Sequence, residues 1–145
     1  NFSIKTGHKT HEACAFLIKC GAGVNTANGF SRTKLEDYIK IQKIVFKTEF
    51  YKRKYAIVFG NKDTVYERKE LAMISDTLTL FNNVEASFAI GYIDKNIVGV
   101  SARSLEKDVE IIMAKFGGGG HKNNAACQIE NKTFKEVEKM IKGEL

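Results

Sequence analysis

Four consecutive glycines followed by a histidine are the most unusual feature of this sequence of 145 residues. The run consists of Gly117, Gly118, Gly119, Gly120 and His121, and it directly follows a stretch with helical periodicity. Glycine loses more backbone entropy on folding than any other residue, so the run indicates positive φ angles or a close backbone approach. Successive backbone N–H groups can bind a phosphate, and His121, Asn123 and Asn124 would add side-chain donors beside them. A flexible turn after a helix explains the same residues equally well.

A second polar group, Ser101, Arg103 and Ser104, lies at the end of a run that reads as a strand. Side chains that leave a sheet at a strand end commonly carry binding sites. The guanidinium of Arg103 can bind a phosphate with two parallel hydrogen bonds, and the two hydroxyls can assist it. The alternative is a surface arginine in a salt bridge at the end of a strand.

Other kinds of catalytic site find little support in the sequence. His8, His11 and Cys14 are spaced by three residues, but no second cluster with metal-ligand spacing follows, so we expect no metal site in this chain. The glycine run is not a nucleotide-binding P-loop, because it follows a helix and no hydroxyl comes after Lys122. No Ser-His-Asp arrangement is recognisable.

Composition and charge limit the class of protein. With 43% apolar and 28% charged residues, the chain is long enough for one globular domain with its own core. It contains neither an apolar run that could span a membrane nor a signal-peptide pattern. The three cysteines, Cys14, Cys20 and Cys127, cannot all pair within one chain, so we expect buried thiols in a reducing cytoplasm.

The net charge of +6 comes mostly from one segment. Between Arg32 and Lys54 there are eight bases and three acids, whereas the rest of the chain is nearly balanced. A lysine-rich stretch of this kind is usually a solvated helix face. The other interpretation is a surface that binds nucleic acid.

Apolar periodicity and turn residues predict an α/β or α+β fold with a mixed sheet. Helices are predicted over residues 10–19, 32–47, 67–81, 107–116 and 134–142, and strands over 55–59, 85–93, 97–102 and 125–129, with a hairpin turn at 94–96. Thr10 and Ser31 are the expected N-caps of the first two helices, and Gly21 is expected to end the first. The apolar stripe of the second helix is expected to comprise Leu35, Tyr38, Ile39, Gln42, Val45 and Phe46.

Two motifs together resemble the DHH-associated C-terminal domain of the DHH-family phosphoesterases. They are the segment from Val100 to Leu105 and the segment from Gly117 to Gln128. Within the family, residues 124–128 are most similar to the GdpP (YybT) subfamily of cyclic-di-AMP phosphodiesterases. The residues upstream, from Asn1 to Ala22, resemble the end of the DHH domain of the same subfamily, so the resemblance covers essentially the whole chain.

The resemblance implies a division of the chain into a remnant of the DHH catalytic domain (residues 1–30), a connecting helix (31–48) and a DHH-associated substrate-binding domain (49–145). It also implies that two Mn²⁺ ions bind to a DHH domain whose ligands are not in this chain. The implied substrate-binding residues are Ser101, Arg103, Ser104, Gly117, Gly118, Gly119, Gly120, His121 and Asn124, with His121 assisting catalysis.

The expected function is therefore the substrate-binding portion of a Mn-dependent phosphodiesterase that hydrolyses cyclic di-AMP or short dinucleotides, inactive by itself. The expected partners are the dinucleotide and the DHH domain of the same protein, and a homodimer is a further option. The expected location is the cytoplasm, as the cytoplasmic part of a membrane-anchored protein if the subfamily's domain arrangement holds. The alternative is a RecJ-like module that binds single-stranded nucleic acid without catalysis of its own.

Overall fold

A computed structural model describes residues 7–23 and 32–145. The chain divides by its internal contacts into two compact units, Asn1–Leu35 and Glu36–Leu145. Within the described residues, none of the helices is both long enough and apolar enough to cross a membrane.

The first unit contains helix α1 (His8–Lys19), which begins two residues before the predicted start. Gly7 has the extended backbone of an N-cap, and its carbonyl accepts hydrogen bonds from the first turn of the helix. Gly21 has a φ of +93°, and the N–H groups of Gly21 and Ala22 bond to carbonyls of the last turn. This is a Schellman motif, which confirms the predicted role of Gly21.

The cysteines do not share one environment. Cys127 is buried and Cys14 is half-buried, but Cys20 is exposed beside the end of α1. The expectation of three buried thiols is therefore wrong for Cys20.

Helix α2 (Leu35–Val45) corresponds to the helix predicted over 32–47, and the expected N-cap Ser31 lies outside the described residues. Most of the expected apolar stripe lies on an exposed face of this helix, and of its six members only Val45 is buried. Four of its expected members are exposed, namely Leu35, Tyr38, Ile39 and Phe46. The buried residues are Ile41, Ile44 and Val45. Both faces carry apolar residues at helical spacing, so periodicity alone could not identify the one that packs.

Six strands form one mixed sheet with the order β1-β2-β3-β4-β6-β5. They are β1 (Glu49–Tyr51), β2 (Tyr55–Phe59), β3 (Ala86–Asp94), β4 (Ile97–Ser104), β5 (Gly119–His121) and β6 (Asn124–Glu130). Strands β2 and β3 are parallel and the other neighbouring pairs are antiparallel. The mixed sheet, the order strand-helix-strand-strand and the hairpin turn are confirmed. The two three-residue edge strands β1 and β5 were not predicted.

Three further helices complete the fold, and all three were predicted. They are α3 (Arg68–Leu78), α4 (Val109–Ala114) and α5 (Phe134–Gly143). Helix α3 is the crossover between the parallel strands β2 and β3, and it begins with a capping box formed by Glu67 and Glu70. Asp108 caps α4 and Thr133 caps α5 through their side-chain oxygens.

The sheet separates two hydrophobic clusters. One cluster contains the buried side chains of α2 and α3, and the other contains those of α4 and α5. Successive residues of a strand point to opposite faces of the sheet. Val98, Val100 and Ala102 of β4 therefore pack in the cluster with α4 and α5. The residues between them, including Ser101, face α3.

Candidate functional site

A cavity of about 700 Å³ opens on the face of the sheet that carries α3. Helix α3 lies against β3 and β4, and the cavity lies beside it over β4, β6 and the glycine run. Its wall comprises Arg68, Lys69, Leu71, Ala72, Ile93, Gly99, Val100, Ser101, Arg103, Gly117, Gly118, Gly119, Gly120, Asn124, Ala125, Ala126, Cys127 and Gln128. The cavity has the size of a typical small-ligand site. Among the residues that the structure describes, its wall includes three cationic side chains and no carboxylate.

Arg103 is held in a fixed orientation at this cavity. Its Nε donates to Asp76 Oδ1 at 2.7 Å, and its Nη1 donates to Ser101 Oγ at 3.1 Å and to the Ala102 carbonyl at 3.0 Å. The Arg103 side chain is 15% exposed, whereas that of Asp76 is 59% exposed. None of the hydrogen bonds among the described residues uses Nη2. A guanidinium fixed in this way loses little conformational entropy when it binds an anion.

A buried serine network positions the elements beneath Arg103. Ser75 of α3 donates to the Ser101 carbonyl at 3.0 Å, and its hydroxyl lies 3.0 Å from that of Ser87 in β3. Ser87 donates in turn to the Ser75 carbonyl at 2.8 Å. Ser75 and Ser87 have no exposed surface. Because buried hydroxyls are costly without partners, this network fixes α3 against β3 and β4 at the level of Arg103.

The four glycines have different structural roles. Gly117 has a φ of +73° directly after α4, and Gly120 has a φ of +152°. Gly118 has no positive φ, but a Cβ atom there would lie 2.1 Å from the Ala126 carbonyl oxygen. At Gly119 the φ is not positive, and a Cβ would meet nothing within 4 Å. The fold therefore explains three of the glycines and leaves Gly119 open toward the cavity.

Asn124 and His121 are in register with Arg103. Asn124 of β6 pairs with Arg103 of β4 on one side and with His121 of β5 on the other. Paired residues of antiparallel strands project from the same face of a sheet, so the three form one row on the α3 face. Arg103 and Asn124 line the cavity, whereas exposed His121 stands at its edge and is not part of its wall.

Two residues of the sequence motifs do not reach the cavity. The Ser104 hydroxyl donates to the Glu85 carbonyl and accepts from the Glu106 N–H, on the face opposite to Arg103. The Asn123 amide donates to the carbonyls of Ser104 and Leu105. Both side chains therefore hold the end of β4 in place, and the amide of Asn123 is not directed at a phosphate.

Several cavity residues were missed by the sequence reasoning. Arg68 and Lys69 occupy the first turn of α3, where acidic residues are normally favoured by the helix dipole. Two bases at that position were an available signal. Asp76 gave no such signal, because it becomes relevant only through its pairing with Arg103. Gln128 belongs to the motif that carries the family resemblance but was not assigned to the site, and the position of β6 brings it to the cavity wall.

The buried thiol of Cys127 and the residues of the metal-ligating types are the remaining side chains to consider for chemistry. Burial raises the pKa of the Cys127 thiol to about 12, so this thiol is not a nucleophile near neutral pH. Within residues 7–23 and 32–145, no three His, Cys, Asp or Glu side chains are grouped so that they could hold a metal ion. His8, His11 and Cys14 all lie on α1.

The fold and the motifs define this chain as a DHHA1 domain protein. The DHHA1 domain family matches residues 52–145, and the chain belongs to that family. It is 34% identical over 142 residues to the cyclic-di-AMP phosphodiesterase PdeA of Listeria monocytogenes and 35% identical over 145 residues to the cyclic-di-AMP phosphodiesterase GdpP of Bacillus subtilis. These alignments cover 97% and 98% of this chain but 22% of each relative. The chain thus spans about a fifth of the length of these relatives.

Solved structures confirm the mixed α/β fold. An exopolyphosphatase-related protein from Bacteroides fragilis superposes with a TM-score of 0.80 at 17% identity, over 95% of this chain and 43% of that one. A pGpG-specific phosphodiesterase from Vibrio cholerae superposes with a TM-score of 0.55 at 18% identity, over 74% of this chain and 38% of that one. At these identities the similarity shows the fold alone.

Proposed function

We propose that this chain is the substrate-binding part of a DHH-family phosphodiesterase that hydrolyses cyclic di-AMP or a short dinucleotide. Its relatives of 34% and 35% identity are cyclic-di-AMP phosphodiesterases, which supports this substrate class. The observation that carries the proposal is the position of Arg103, held by Asp76 and Ser101 at a cavity whose wall has no carboxylate. A phosphodiester is the anion that this arrangement fits.

The role of this chain in the reaction is to hold the phosphate. Arg103 donates to its oxygens, and the backbone at Gly119 allows the ligand to approach without meeting a side chain. Hydrogen-bond donors fixed in advance stabilise charge that develops on phosphoryl oxygens. We also propose that His121, which belongs to the same row of the sheet, contacts the phosphate from the edge of the cavity.

Manganese enters this proposal only through a DHH domain. The described residues of this chain do not fit a manganese site, because they contain no suitable ligand cluster. We therefore propose that a DHH domain binds the metal and activates the water, and that the present chain is inactive without it. Location in the cytoplasm fits the free thiols of the described cysteines.

Calorimetric titration of this chain with cyclic di-AMP and pApA tests the proposal. We expect saturable binding of at least one of them by the wild-type chain and a large loss in Arg103→Gln. Lys135→Gln is the matched control, because Lys135 is an exposed cation of α5, on the opposite face of the sheet. Absence of binding, both alone and together with a DHH domain, would refute the proposal.

The same titration, carried out with single-stranded oligonucleotides, distinguishes the proposed function from the alternative of a nucleic-acid-binding module. Such a module would bind single-stranded oligonucleotides with an affinity that falls steeply with salt. Three of the basic side chains between residues 32 and 54 already have partners: Lys40 bonds to Glu70, Lys47 to Asn61 and Lys54 to Glu85. These contacts reduce the positive charge that is available to a polyanion.

The elution volume in size-exclusion chromatography, with and without nucleotide, tests the expected homodimer.

A further inference from the structure

The cavity carries positive charge at two separate places along α3. Arg103 is held by Asp76 near the end of this helix, and Arg68 and Lys69 lie on its first turn. Eight residues separate Arg68 from Asp76, which corresponds to about 12 Å of helix. All three cations belong to the same cavity wall. Between them the wall is apolar, with Leu71, Ala72 and Ile93.

We propose that Arg68 and Lys69 form a second phosphate-binding end of this cavity. A dinucleotide would then lie along α3, with one phosphate at Arg103 and the other at the first turn of the helix. This inference rests on the proposed function and adds a substrate preference to it. The site should prefer substrates that carry two phosphates. The apolar wall between the two ends would accommodate a nucleoside.

The side chains of Arg68 and Lys69 supply the charged donors of this turn. The capping box uses the Glu67 side chain for the backbone at Glu70 and the Glu70 side chain for the backbone N–H of Glu67. Arg68 is exposed and has no ion pair within the described part of the chain. Lys69 pairs with Glu67 at 2.9 Å, but both side chains are more than two-thirds exposed, so an incoming phosphate can compete for this lysine.

The position of these bases is unfavourable for the helix itself. Cations are disfavoured near a helix N-terminus, where the dipole places partial positive charge. Arg68 and Lys69 therefore do not serve the stability of α3, and neither side chain contributes to the buried core. A bound phosphate would offset the repulsion that the two bases experience there.

A second cavity continues from this end of the first. It has a volume of about 530 Å³ and shares Arg68, Lys69, Ile93 and Gln128 with the first cavity. Its remaining wall includes two carboxylates, those of Glu67 and Asp94. The negative charge beyond the first turn of α3 limits the phosphate to the side that faces Arg103.

The test compares two dinucleotides that differ in one phosphate, pApA and ApA. We expect the wild-type chain to bind pApA about tenfold or more tightly than ApA, because a hydrogen-bonded ion pair is worth at least one factor of ten. In the double variant Arg68→Gln and Lys69→Gln, this ratio should approach unity while the affinity for ApA is kept. Lys135→Gln is the control and should keep the wild-type ratio.

Thermal unfolding of the same variants excludes a folding defect. We expect the double variant to melt no lower than the wild-type chain, because it loses two cations that oppose the helix dipole. Equal binding of pApA and ApA by the wild-type chain would refute the second phosphate-binding end and leave the proposed function intact. Equal weakening of both ligands in the double variant would refute it as well. If neither of these ligands nor cyclic di-AMP bound to the wild-type chain, both alone and together with a DHH domain, both proposals would be refuted.

Discussion

Arg103 and His121 face Asn124 from the two sides of strand β6. Arg103 is the register partner of Asn124 in β4, and His121 is its partner in β5. Neighbouring strands are about 4.8 Å apart, so the backbones of Arg103 and His121 are separated by about 10 Å. In this row, the half-buried guanidinium of Arg103 and the exposed imidazole of His121 lie on either side of the side-chain amide of Asn124. Both side chains are therefore on the same face of the sheet as the cavity.

Replacement of Arg103 should separate the effect of charge from that of hydrogen-bond geometry. We expect Arg103→Gln to weaken pApA binding by about 10- to 100-fold, the value of hydrogen bonds to a charged group. Arg103→Lys keeps the charge but loses the planar fork, so its affinity should lie between those of the wild type and the Gln variant. Calorimetry measures all three affinities. A Lys variant as weak as the Gln variant would show that geometry, and not charge, dominates.

His121→Ala should affect turnover and leave the fold unchanged. His121 is exposed, and exposed substitutions usually change the free energy of unfolding by less than about 0.5 kcal/mol. We therefore expect an unchanged denaturation midpoint for this chain and a reduced kcat in the phosphodiesterase proposed above. Denaturation with urea and steady-state hydrolysis of cyclic di-AMP measure the two quantities. Unchanged turnover would remove His121 from the site.

The capping box of α5 should make stability depend on pH in the acid range. Hydrogen bonds from the Thr133 backbone, from Lys132 and from the Thr133 side chain lower the pKa of Glu136 from 4.5 to about 2. A lowered pKa in the folded state means that the stabilisation is complete above pH 4.5 and is lost as the pH falls toward 2.

Urea denaturation between pH 2 and pH 6 should therefore show a smaller loss of stability in Glu136→Gln than in the wild-type chain. Glu110→Gln, in the first turn of α4, is the matched control, because the carboxylate that caps that helix belongs to Asp108, so the variant should follow the wild type. Identical acid profiles for wild type and Glu136→Gln would contradict the predicted role of this carboxylate.

The sequence predicted the elements of the sheet better than the packing of α2. Strand β2 was predicted with its correct bounds, because five apolar residues between turn signals have few other interpretations. Helix α2 has apolar residues on two faces, and only the position of its neighbours decides that Ile41 and Ile44 are buried while Leu35 and Phe46 are exposed. The edge strands β1 and β5 have three residues each, which is too short for a periodic signal.

The candidate site could be predicted from motifs but not from chemistry alone. Their residue types indicated that Arg103 and the glycine run could each bind a phosphate. Only the family resemblance indicated that they belong to one site. The sequence alone does not show which residues of β4 face the cavity. Ser104 was therefore grouped with Ser101, although its side chain points away from the cavity. Asp76 lies 27 residues from Arg103 in sequence, and only the packing of α3 brings the two together.

Ser75 should contribute to stability through its buried partners. Ser75→Ala removes the donor to the Ser101 carbonyl and the contact with the Ser87 hydroxyl. The Ser87 hydroxyl keeps its bond to the Ser75 carbonyl, so the variant loses only the bonds of the Ser75 hydroxyl. Since a hydrogen bond contributes about 0.5–1.5 kcal/mol, the free energy of unfolding should fall by about that amount for each bond lost. Thr77→Ala is the control on the same helix, because its hydroxyl bonds only to the Met73 carbonyl of the preceding turn. Equal stability of the two variants would show that the network contributes little.

Gly118 and Gly119 are neighbours that should respond oppositely to alanine. A Cβ at Gly118 would lie 2.1 Å from the Ala126 carbonyl oxygen and 2.5 Å from the Cys127 Cβ, so Gly118→Ala must shift the loop away from β6 and lower the stability. At Gly119 there is open space and no positive φ. We therefore expect Gly119→Ala to keep the wild-type melting temperature. The positive φ angles expected for the glycine run occur at Gly117 and Gly120, and not at Gly118 or Gly119.

Gly119→Ala should weaken ligand binding although it leaves the stability of the chain unchanged. Gly119 is the register partner of Ala126, so its missing Cβ points to the α3 face, into the cavity. In the binding mode proposed above, a methyl group there would block the approach of the phosphate to the backbone, so we expect pApA binding to weaken by about tenfold or more without a change in melting temperature. Calorimetry and thermal denaturation on the same samples measure both. Wild-type affinity in Gly119→Ala would show that the ligand does not approach the backbone at this position.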